Sequence, residues 1–578
     1  MEGQGKDTGE QFLKDNDLLA VPFDKGIGYC VMPRTTYEQK LDPIIQLPQF
    51  KKYVDNRKNA KHPILKEEER VIEVLNNLKK EGKISEDLFK ELKPTGSQAP
   101  RLYGLAKVHK DGTPLRPIVA FPGSAYEPVA KKIAHWLSFV PECRINTSSD
   151  KIAKELSSNK LSDHQSLISF DVVSLYTNVP VKESIKVCAD LLFNKMSIQG
   201  VEKETFIKLA ELACCNVVFS THQGYYIQHE GLAMGSPPAP HLANGWLSTF
   251  DKTIQGNSTL YHRYMDDIIR IIDNDVIDDE LNKINNLHPC LSFTKELENN
   301  NSIPFLDMLL HNIEGNLSSS WYTKPTDTGL TLNFHSLAPI KYKKSVIISF
   351  VHRIFRACST WENFHLGITK ACQILENNQY PSSFIMPIIN VTIEKLIAPP
   401  TKKDDTDDNS ILELSLDPNA CLDIMSEKDK FNFFIAYRGH PTEKLVKSFK
   451  KMNAPCKFVL TMKKTKNFLP SLKPVVPKML QNNVVYKIKC PGCESSYVGQ
   501  TVRHLQRRFK EHLGNKGPVK THLETCSISN PNENIIHILG RSRSLPHLLT
   551  LEALYIKEHN PNLNTKDEYR SRTLTLKF

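Results

Sequence analysis

Two adjacent carboxylates in the middle of an apolar segment constrain the fold of this chain more than any other feature. The segment 260–272, LYHRYMDDIIRII, places Asp266 and Asp267 between residues that favour β-strands. Burying a carboxylate is costly unless it is paired with a cation or binds a metal. Because aspartate is also a favoured turn residue, the segment predicts a strand, a turn at 265–267 and a second strand. Such a turn would lift both carboxylates out of the core.

A second segment favours a catalytic hairpin over a purely structural one. In LISFDVVSLYTNV, Asp171 ends an apolar strand and has no basic residue nearby in the sequence. Three carboxylates on adjacent strand ends form an oxygen-rich site suited to two Mg²⁺ ions. Such ions activate a 3′-hydroxyl and stabilise a leaving pyrophosphate. Asp171, Asp266 and Asp267 therefore predict a site for nucleotidyl transfer.

The composition indicates an intracellular protein with several domains. Its 578 residues allow roughly two to four domains, and the net charge of +11 is moderate. The N-terminal residues are polar, and no run approaches the roughly 18 apolar residues of a membrane span. Thirteen cysteines without a secretory signal suit a reducing compartment. We expect the protein to act in the nucleus after its synthesis in the cytoplasm.

Changes of composition divide the chain. Short β-branched runs alternate with helical patterns in the first half, as in an α+β domain, and the polar, Pro-led stretch PPTKKDDTDDNS predicts a linker. The predicted divisions are an N-terminal segment at 1–20, an α+β region at 21–330, a helical region at 331–398, the linker at 399–425, a basic connector at 426–482, a compact unit at 483–566 and a tail at 567–578.

Four motifs over about 160 residues resemble the fingers and palm of a reverse transcriptase. In chain order they are GLAKVHKDGTPLRPIVAFPGS, FDVVSLY, GLAMGSPPAPHLANGWL and YMDD. The resemblance implies a multidomain α+β protein with the right-hand polymerase fold, with fingers and palm at 21–330 and a thumb-like region at 331–398.

The same resemblance assigns substrate-binding roles to four residues. The ring of Tyr176 would exclude a ribose 2′-hydroxyl, so that deoxynucleotides are selected. Gly235 would let the backbone approach the primer–template and the nucleotide. Lys110 and Arg116 would hold the incoming triphosphate, the arginine through its bidentate fork.

Further motifs resemble Penelope-like retroelements, whose reverse transcriptase carries a C-terminal GIY-YIG endonuclease. They are FDKGIGYCVMPRTTYEQKL, FTKELENNNSIPFLDM, WYTKPTDTGLTLNFHS and VVYKIKCPGCESSYVGQT. The resemblance implies a retrotransposon RNA-directed DNA polymerase that nicks target DNA and primes reverse transcription from the nick. Its partners would be an RNA template, double-stranded target DNA and dNTPs. Members usually have a longer region before the DKG motif, so the chain resembles an N-terminally shortened copy.

The compact unit at 483–566 contains the residues that a GIY-YIG nuclease requires. VVYKIKC and SSYVG predict two strands, and the following helix places Leu505, Arg508, Phe509 and His512 on one face. On a later helix Glu552 is the only carboxylate of an apolar stripe, so it needs a ligand or a partner.

The resemblance assigns roles to these residues. It implies a catalytic set of Tyr486, Tyr497, Arg508, His512 and Glu552, with Glu552 holding one Mg²⁺ ion and with Gly499 and Asn564 contacting the substrate. The GIY motif of the family reads VVY here, so only its tyrosine is retained.

A structural zinc site is predicted in the same unit. Cys490 and Cys493 form a C-x₂-C knuckle, and His522 and Cys526 supply two further ligands at suitable spacing. The resemblance implies two cysteines and two histidines, so Cys526 departs from the pattern. His512 is the alternative fourth ligand.

Two other functions compete with the main interpretation. One is a non-catalytic nucleic-acid-binding protein descended from such an element, although the four metal-binding carboxylates are present. The other is a telomere-associated reverse transcriptase, in which the nuclease would be dispensable. Basic segments at 446–466 and 503–520 would supply phosphate contacts that do not depend on base sequence.

Overall fold

The protein is described by a computed structural model. It covers residues 11–54, 61–145, 147–156, 158–398, 431–452, 456–461, 476–514, 517–529, 531–542 and 544–564. The predicted linker at 399–425 and the tail at 567–578 lie outside the described residues. Across these ranges, no helix has both the length and the apolar character needed to cross a bilayer.

The palm is a four-stranded antiparallel sheet. The apolar run that follows Asp267 forms one of its two central strands. Its strands lie in the order Phe293–Leu297, Gln165–Val172, Asp267–Asp273 and Tyr261–Tyr264. Ile268 and Ile272 pack into one apolar core, whereas Ile269 and Ile271 pack into another. Because both faces of this strand are covered, its four isoleucines do not alternate with solvent-facing polar residues, and its one basic residue, Arg270, is buried and donates to Glu280 at 3.0 Å.

The fingers contain a five-stranded sheet and a separate hairpin. The sheet order is Phe50–Lys52, Gly224–Gln228, Val217–Thr221, Arg101–Ala106 and Leu115–Ala120, and the hairpin pairs Leu18–Pro22 with Tyr29–Pro33. The helices of the fingers and palm are Arg34–Ile45, Pro63–Lys80, Glu86–Leu92, Glu127–Leu137, Ser149–Leu156, Leu175–Asn178, Val181–Lys195, Lys203–Cys214, Ala239–Leu247, Asp251–Gln255 and Ile277–Asn285, with short 3₁₀ turns at Pro141–Cys143 and Asn274–Val276.

A three-stranded meander follows the palm. Its strands are Ser302–Phe305, Met308–Ile313 and Asn316–Trp321. The sequence of this stretch, IPFLDMLLHNIEGNLSSSWY, predicts a simple two-stranded hairpin, and this prediction is wrong by one strand. The missed turn is at Leu306, which adopts a left-handed conformation (φ 57°) without the glycine that usually signals one. The helices Ile340–Ala357, Trp361–Asn377 and Ser382–Ile397 pack against this meander in a second core.

The described residues 431–452 and 456–461 of the predicted basic connector form a β-α-β unit. Strands Phe431–Ala436 and Cys456–Thr461 pair in parallel, and the helix His440–Lys451 joins them. Parallel strands need such a crossover, because a tight turn leads the chain back in the opposite direction and so joins only antiparallel strands. The prediction of a connector rested on the many lysines of this segment, and charge alone does not indicate a β-α-β unit.

The C-terminal unit is a three-stranded antiparallel sheet covered by helices. Its strands lie in the order Ser496–Thr501, Val484–Lys489 and Ile536–Arg541. The helices are Leu505–Gly514, Pro518–Thr525 and Leu545–His559, with 3₁₀ turns at Lys478–Leu480 and Glu533–Ile535. The predicted strands and helices of this unit are all present.

Candidate active sites

The three aspartates of the palm lie together at the ends of adjacent strands. Asp267 is opposite Asp171 in the sheet, and the amide of Val172 donates to the carbonyl of Asp266 at 3.1 Å. The hairpin turn consists of Met265 and Asp266, because Tyr264 already pairs with Asp267. The predicted strand–turn–strand arrangement is confirmed, and it brings the three carboxylates into one site.

A partly buried arginine holds the turn in place. Arg263 makes two bonds to the carboxylate of Asp251, at 2.6 and 2.8 Å, and donates to the side chain of Asn244 at 2.9 Å and to the carbonyl of Met265 at 3.3 Å. Met265 is left-handed, with φ 58°, which costs energy for a residue with a side chain. The hydrogen bonds of Arg263 therefore stabilise the strained backbone of the turn that positions the carboxylates.

Repulsion between the carboxylates shapes the electrostatics of the site. Burial, followed by the charges of Asp266 and Asp171, raises the pKa of Asp267 to about 6. Burial and the charge of Asp266 also raise the pKa of Asp171. Because bound cations relieve such repulsion, the cluster has the character of a metal site.

Two lysines that motif reading did not assign act on the same carboxylates. The charges of Lys25 and Lys324 lower the pKa values of Asp171 and Asp267, opposing the effect of burial. Burial, followed by the charge of Lys324, lowers the pKa of Lys25 itself. Both lysines lie in motifs, DKG and WYTKPTD, on which the resemblance to Penelope-like retroelements rests. Membership of these motifs was the sequence signal that could have identified the two lysines as residues of the site.

The predicted triphosphate-binding residues lie on the fingers hairpin. Arg116 is on strand Leu115–Ala120, and its Nε is 2.7 Å from the carboxylate of Asp24, a partner that sequence reasoning missed. Lys110 lies in the exposed loop that joins this strand to Arg101–Ala106. The charge of Lys110 reaches Asp171, because it too lowers the pKa of that group.

Tyr176 and Gly235 both lie near the palm site. Burial, followed by the charge of Asp266, raises the pKa of Tyr176 to about 12, so its ring is close to the carboxylates. Gly235 has φ 114°, and a Cβ there would stand 2.4 Å from the carbonyl oxygen of Val119. The close approach that requires glycine is thus an internal one, between the palm and the fingers hairpin.

The second candidate site is built around the buried phenol of Tyr486. Arg508 Nε donates to the Tyr486 oxygen at 3.1 Å, and His512 Nε2 lies 2.7 Å from the same atom. The Tyr497 ring packs edge-on against His512, with centroids 5.0 Å apart. The helix Leu505–Gly514 therefore brings together four of the five predicted catalytic residues.

The protonation states of this cluster follow from its burial. Burial, followed by the charge of Arg508, lowers the pKa of His512 to about 4, so the imidazole is neutral near pH 7. Burial raises the pKa of Tyr486. A neutral imidazole can accept the phenolic proton, and the guanidinium can donate to the same oxygen. Glu511 pairs with Arg508 at 3.2 Å and with Arg503 at 2.7 Å, and sequence reasoning missed this support.

The remaining predicted nuclease residues surround this cluster. Glu552 is buried, and its charge acts on Tyr486. A Cβ at Gly499 would stand 2.8 Å from the Tyr486 oxygen, so any side chain there would crowd the site. Asn564 bonds both backbone groups of Val498, at 2.9 and 2.8 Å, and so holds the strand of Tyr497.

A metal-ligand cluster lies beside the sheet of the C-terminal unit. The ligand atoms of Cys490, Cys493, His522 and Cys526 all lie within 4.8 Å of one another. The Cys493 and Cys526 sulfurs are 4.0 Å apart, close to the roughly 3.8 Å expected between two thiolates on one tetrahedral zinc. The alternative ligand His512 is instead bonded to Tyr486. This set fits a tetrahedral metal ion.

Similarity to solved structures is weak. Telomerase from Candida albicans in complex with a TWJ fragment of telomeric RNA matches at 13% identity over 65% of this chain and 67% of that chain, with a TM-score of 0.42. Apo telomerase from Candida tropicalis matches at 11% identity over 67% and 71%, with a TM-score of 0.37. The Sicinivirus 3Dpol RNA-dependent RNA polymerase matches at 10% identity over 53% and 71%, with a TM-score of 0.31. Similarities of this size do not bear on the function, and no curated protein sequence matches the chain.

Known families match three parts of the chain. Residues 108–295 match the family described as reverse transcriptase (RNA-dependent DNA polymerase), and residues 482–567 match the GIY-YIG catalytic domain. Residues 330–390, predicted as a thumb-like region, match an animal helix-turn-helix domain, which sequence reasoning did not anticipate. The first match includes the three palm aspartates, and the second includes the Tyr486 cluster. The chain is a right-hand reverse transcriptase with a C-terminal GIY-YIG endonuclease domain, the combination expected from its resemblance to Penelope-like retroelement proteins.

Proposed function

We propose that the chain is the polymerase of a Penelope-like retrotransposon and starts reverse transcription from a nick that it makes itself. The nuclease domain would cut one strand of the target DNA, and the freed 3′-hydroxyl would prime copying of the element's RNA. The observation that carries this proposal is the presence of two assembled sites in one chain. A nuclear location follows, because the target is chromosomal DNA.

In the polymerase site, Asp171, Asp266 and Asp267 would hold two Mg²⁺ ions. The donor set fits, since three carboxylates lie together and their mutual repulsion and burial raise the pKa values of Asp171 and Asp267, which bound cations would relieve. When bound, the ions activate the primer 3′-hydroxyl and stabilise the leaving pyrophosphate. Arg116 and Lys110 would bind the triphosphate from the fingers side.

In the nuclease site, Arg508 would bind and polarise the scissile phosphate between the two tyrosines. Tyr486 would take up a proton from the attacking water as it passes its own phenolic proton to His512, its hydrogen-bond partner at 2.7 Å. Glu552 would hold one Mg²⁺ ion, which stabilises the leaving oxygen when bound.

The sharpest test of the combined function follows both products in one reaction. Purified protein, supercoiled plasmid, RNA and dNTPs are incubated together, and the plasmid strands are analysed for a nick and for cDNA attached at it. We expect cDNA joined to the nicked strand. A protein that nicks and extends annealed primers, yet never joins cDNA to the nick, would contradict target priming.

We expect Tyr176→Ala to admit ribonucleotides, because the truncation opens space beside the 2′-carbon without changing the metal site. The ratio of kcat/KM for dNTP over rNTP should fall at least about tenfold. Tyr176→Phe is the matched control, since it keeps the ring and should keep the discrimination. An unchanged ratio in Tyr176→Ala would show that another residue excludes the ribose 2′-hydroxyl.

We expect the cluster of Cys490, Cys493, His522 and Cys526 to contain about one Zn²⁺ per chain, because three thiolates and one imidazole complete a tetrahedral site. Cys493→Ser should lose the metal and unfold the nuclease domain at lower temperature, since metal binding and folding are coupled. Elemental analysis and thermal unfolding measure the two effects.

The zinc experiment has two controls. Cys372→Ser removes a half-buried thiol outside the cluster and should retain the metal, and so should His512→Ala. Wild-type protein that is folded but free of zinc would refute the assignment.

Contacts with nucleic-acid phosphates would come from the two basic segments, 446–466 and 503–520. Lys447 and Lys451 of the predicted segment 446–466 lie on the helix His440–Lys451, whereas 453–455 and 462–466 lie outside the described residues. Binding that depends on such contacts weakens steeply as salt displaces the lysines from phosphate.

A further inference from the structure

The polymerase fingers and the nuclease domain meet in a tightly packed contact. Gln98 donates to the carbonyl of Leu480 at 3.0 Å, and Leu480 packs with Ile64 in a small apolar cluster. At Gly96 (φ 63°), a Cβ would stand 2.5 Å from the carbonyl oxygen of Val502. The two backbones thus approach too closely for a side chain, so the domains dock in one defined orientation.

A buried carboxylate from the fingers lies at the centre of this contact. Glu68, on helix Pro63–Lys80, is 1% exposed. One of its oxygens accepts from the amide of Ser97 at 2.5 Å, and the other lies 3.0 Å from Nη1 of Arg507 in the nuclease domain. A buried carboxylate requires such a partner. The counter-charge of this fingers residue therefore comes from the nuclease.

His504 connects the same fingers loop to the start of the nuclease helix Leu505–Gly514. Its side chain is fully buried, and its Nε2 donates to the carbonyl of Ser97 at 2.6 Å. Its own carbonyl accepts from the amides of Arg507 and Arg508, at 3.1 and 3.3 Å. Ser97 thus joins Glu68 and His504, and both act on the first turn of this helix.

That first turn carries the phosphate-binding arginine of the nuclease. Arg508 follows Arg507 directly, and its guanidinium donates to the Tyr486 oxygen at 3.1 Å. We propose that Glu68 of the polymerase is a positioning residue for the nuclease, acting through Arg507 on the helix that presents Arg508 to the scissile phosphate. This inference rests on the proposed nuclease function.

The test compares nicking kinetics in the full-length chain. We expect Glu68→Ala to lower kcat for nicking of supercoiled plasmid by about tenfold or more, because small misplacements of a catalytic group are costly, with KM within about twofold. Primer extension on an annealed RNA template should be unaffected, since the Glu68 side chain contacts Ser97, His504 and Arg507 and none of the palm aspartates. The double variant Glu68→Ala/Arg507→Ala should lower kcat by clearly less than the product of the two single effects, because both single variants remove the Glu68–Arg507 ion pair.

Glu73→Ala, an exposed carboxylate on the same helix, is the matched control and should nick like wild type. Glu68→Gln keeps an acceptor for Ser97 but loses the charge, so we expect an intermediate kcat, and this variant is measured if Glu68→Ala does not fold. A Glu68 variant with a lowered unfolding temperature and unchanged kcat would overturn the proposal and leave a purely structural contact. Strictly multiplicative effects in the double variant would also overturn it. A wild-type chain that does not nick would instead refute the nuclease function, and this inference with it.

Discussion

Replacing Asp266 with asparagine should reduce primer extension by a thousandfold or more. The amide keeps the shape of the carboxylate but loses the charge that holds the metal ions, and loss of such a ligand costs several kcal/mol of transition-state stabilisation, on the order of a thousandfold in rate. The turn itself should persist, because Arg263 bonds the carbonyl of Met265 and not the Asp266 side chain. Extension of an annealed primer on RNA with dNTPs measures the effect.

The matched control for Asp266→Asn is Asp273→Asn at the opposite end of the same strand. Asp273 accepts from Gln165 at 3.0 Å and lies away from the three-carboxylate cluster, so extension should stay within about twofold. Nicking by Asp266→Asn should equal wild type, which shows that the variant is folded. Primer extension within about tenfold of wild type would refute the two-metal assignment.

Glu552→Ala should abolish nicking of supercoiled plasmid and leave primer extension within about twofold. Glu552 is buried on helix Leu545–His559, and its charge acts on Tyr486, so its removal takes away the carboxylate proposed to hold the nuclease metal. The expected loss in nicking rate is again on the order of a thousandfold. A nicking assay and an extension assay on the same preparation measure both effects.

Two further measurements distinguish loss of chemistry from loss of structure in Glu552→Ala. Glu558→Ala removes an exposed carboxylate of the same helix and should nick normally. A pre-nicked target should restore cDNA synthesis at the nick to Glu552→Ala, because the polymerase site is intact. Damage to annealed-primer extension as severe as the damage to nicking would contradict the division of labour between the two domains.

Local sequence pattern determined the elements that carry each site. The hairpin around Asp266 follows from two short apolar runs and a turn between them, which are properties of neighbouring residues. The face that joins Arg508 to His512 follows from helical spacing alone. The C-x₂-C spacing likewise predicted a metal-binding turn, since two ligands with only two residues between them can meet without help from the rest of the chain.

Tertiary structure decided the contacts between residues that the sequence keeps far apart. His512 and Cys526 were both chemically suitable as the fourth zinc ligand, and only packing placed His512 on Tyr486 and Cys526 on the metal cluster. The partner of Arg116 is Asp24, and no periodicity connects the two positions. Such pairings depend on how complete elements pack, because the energy of a buried charge is set by its surroundings in space and not by its neighbours along the chain.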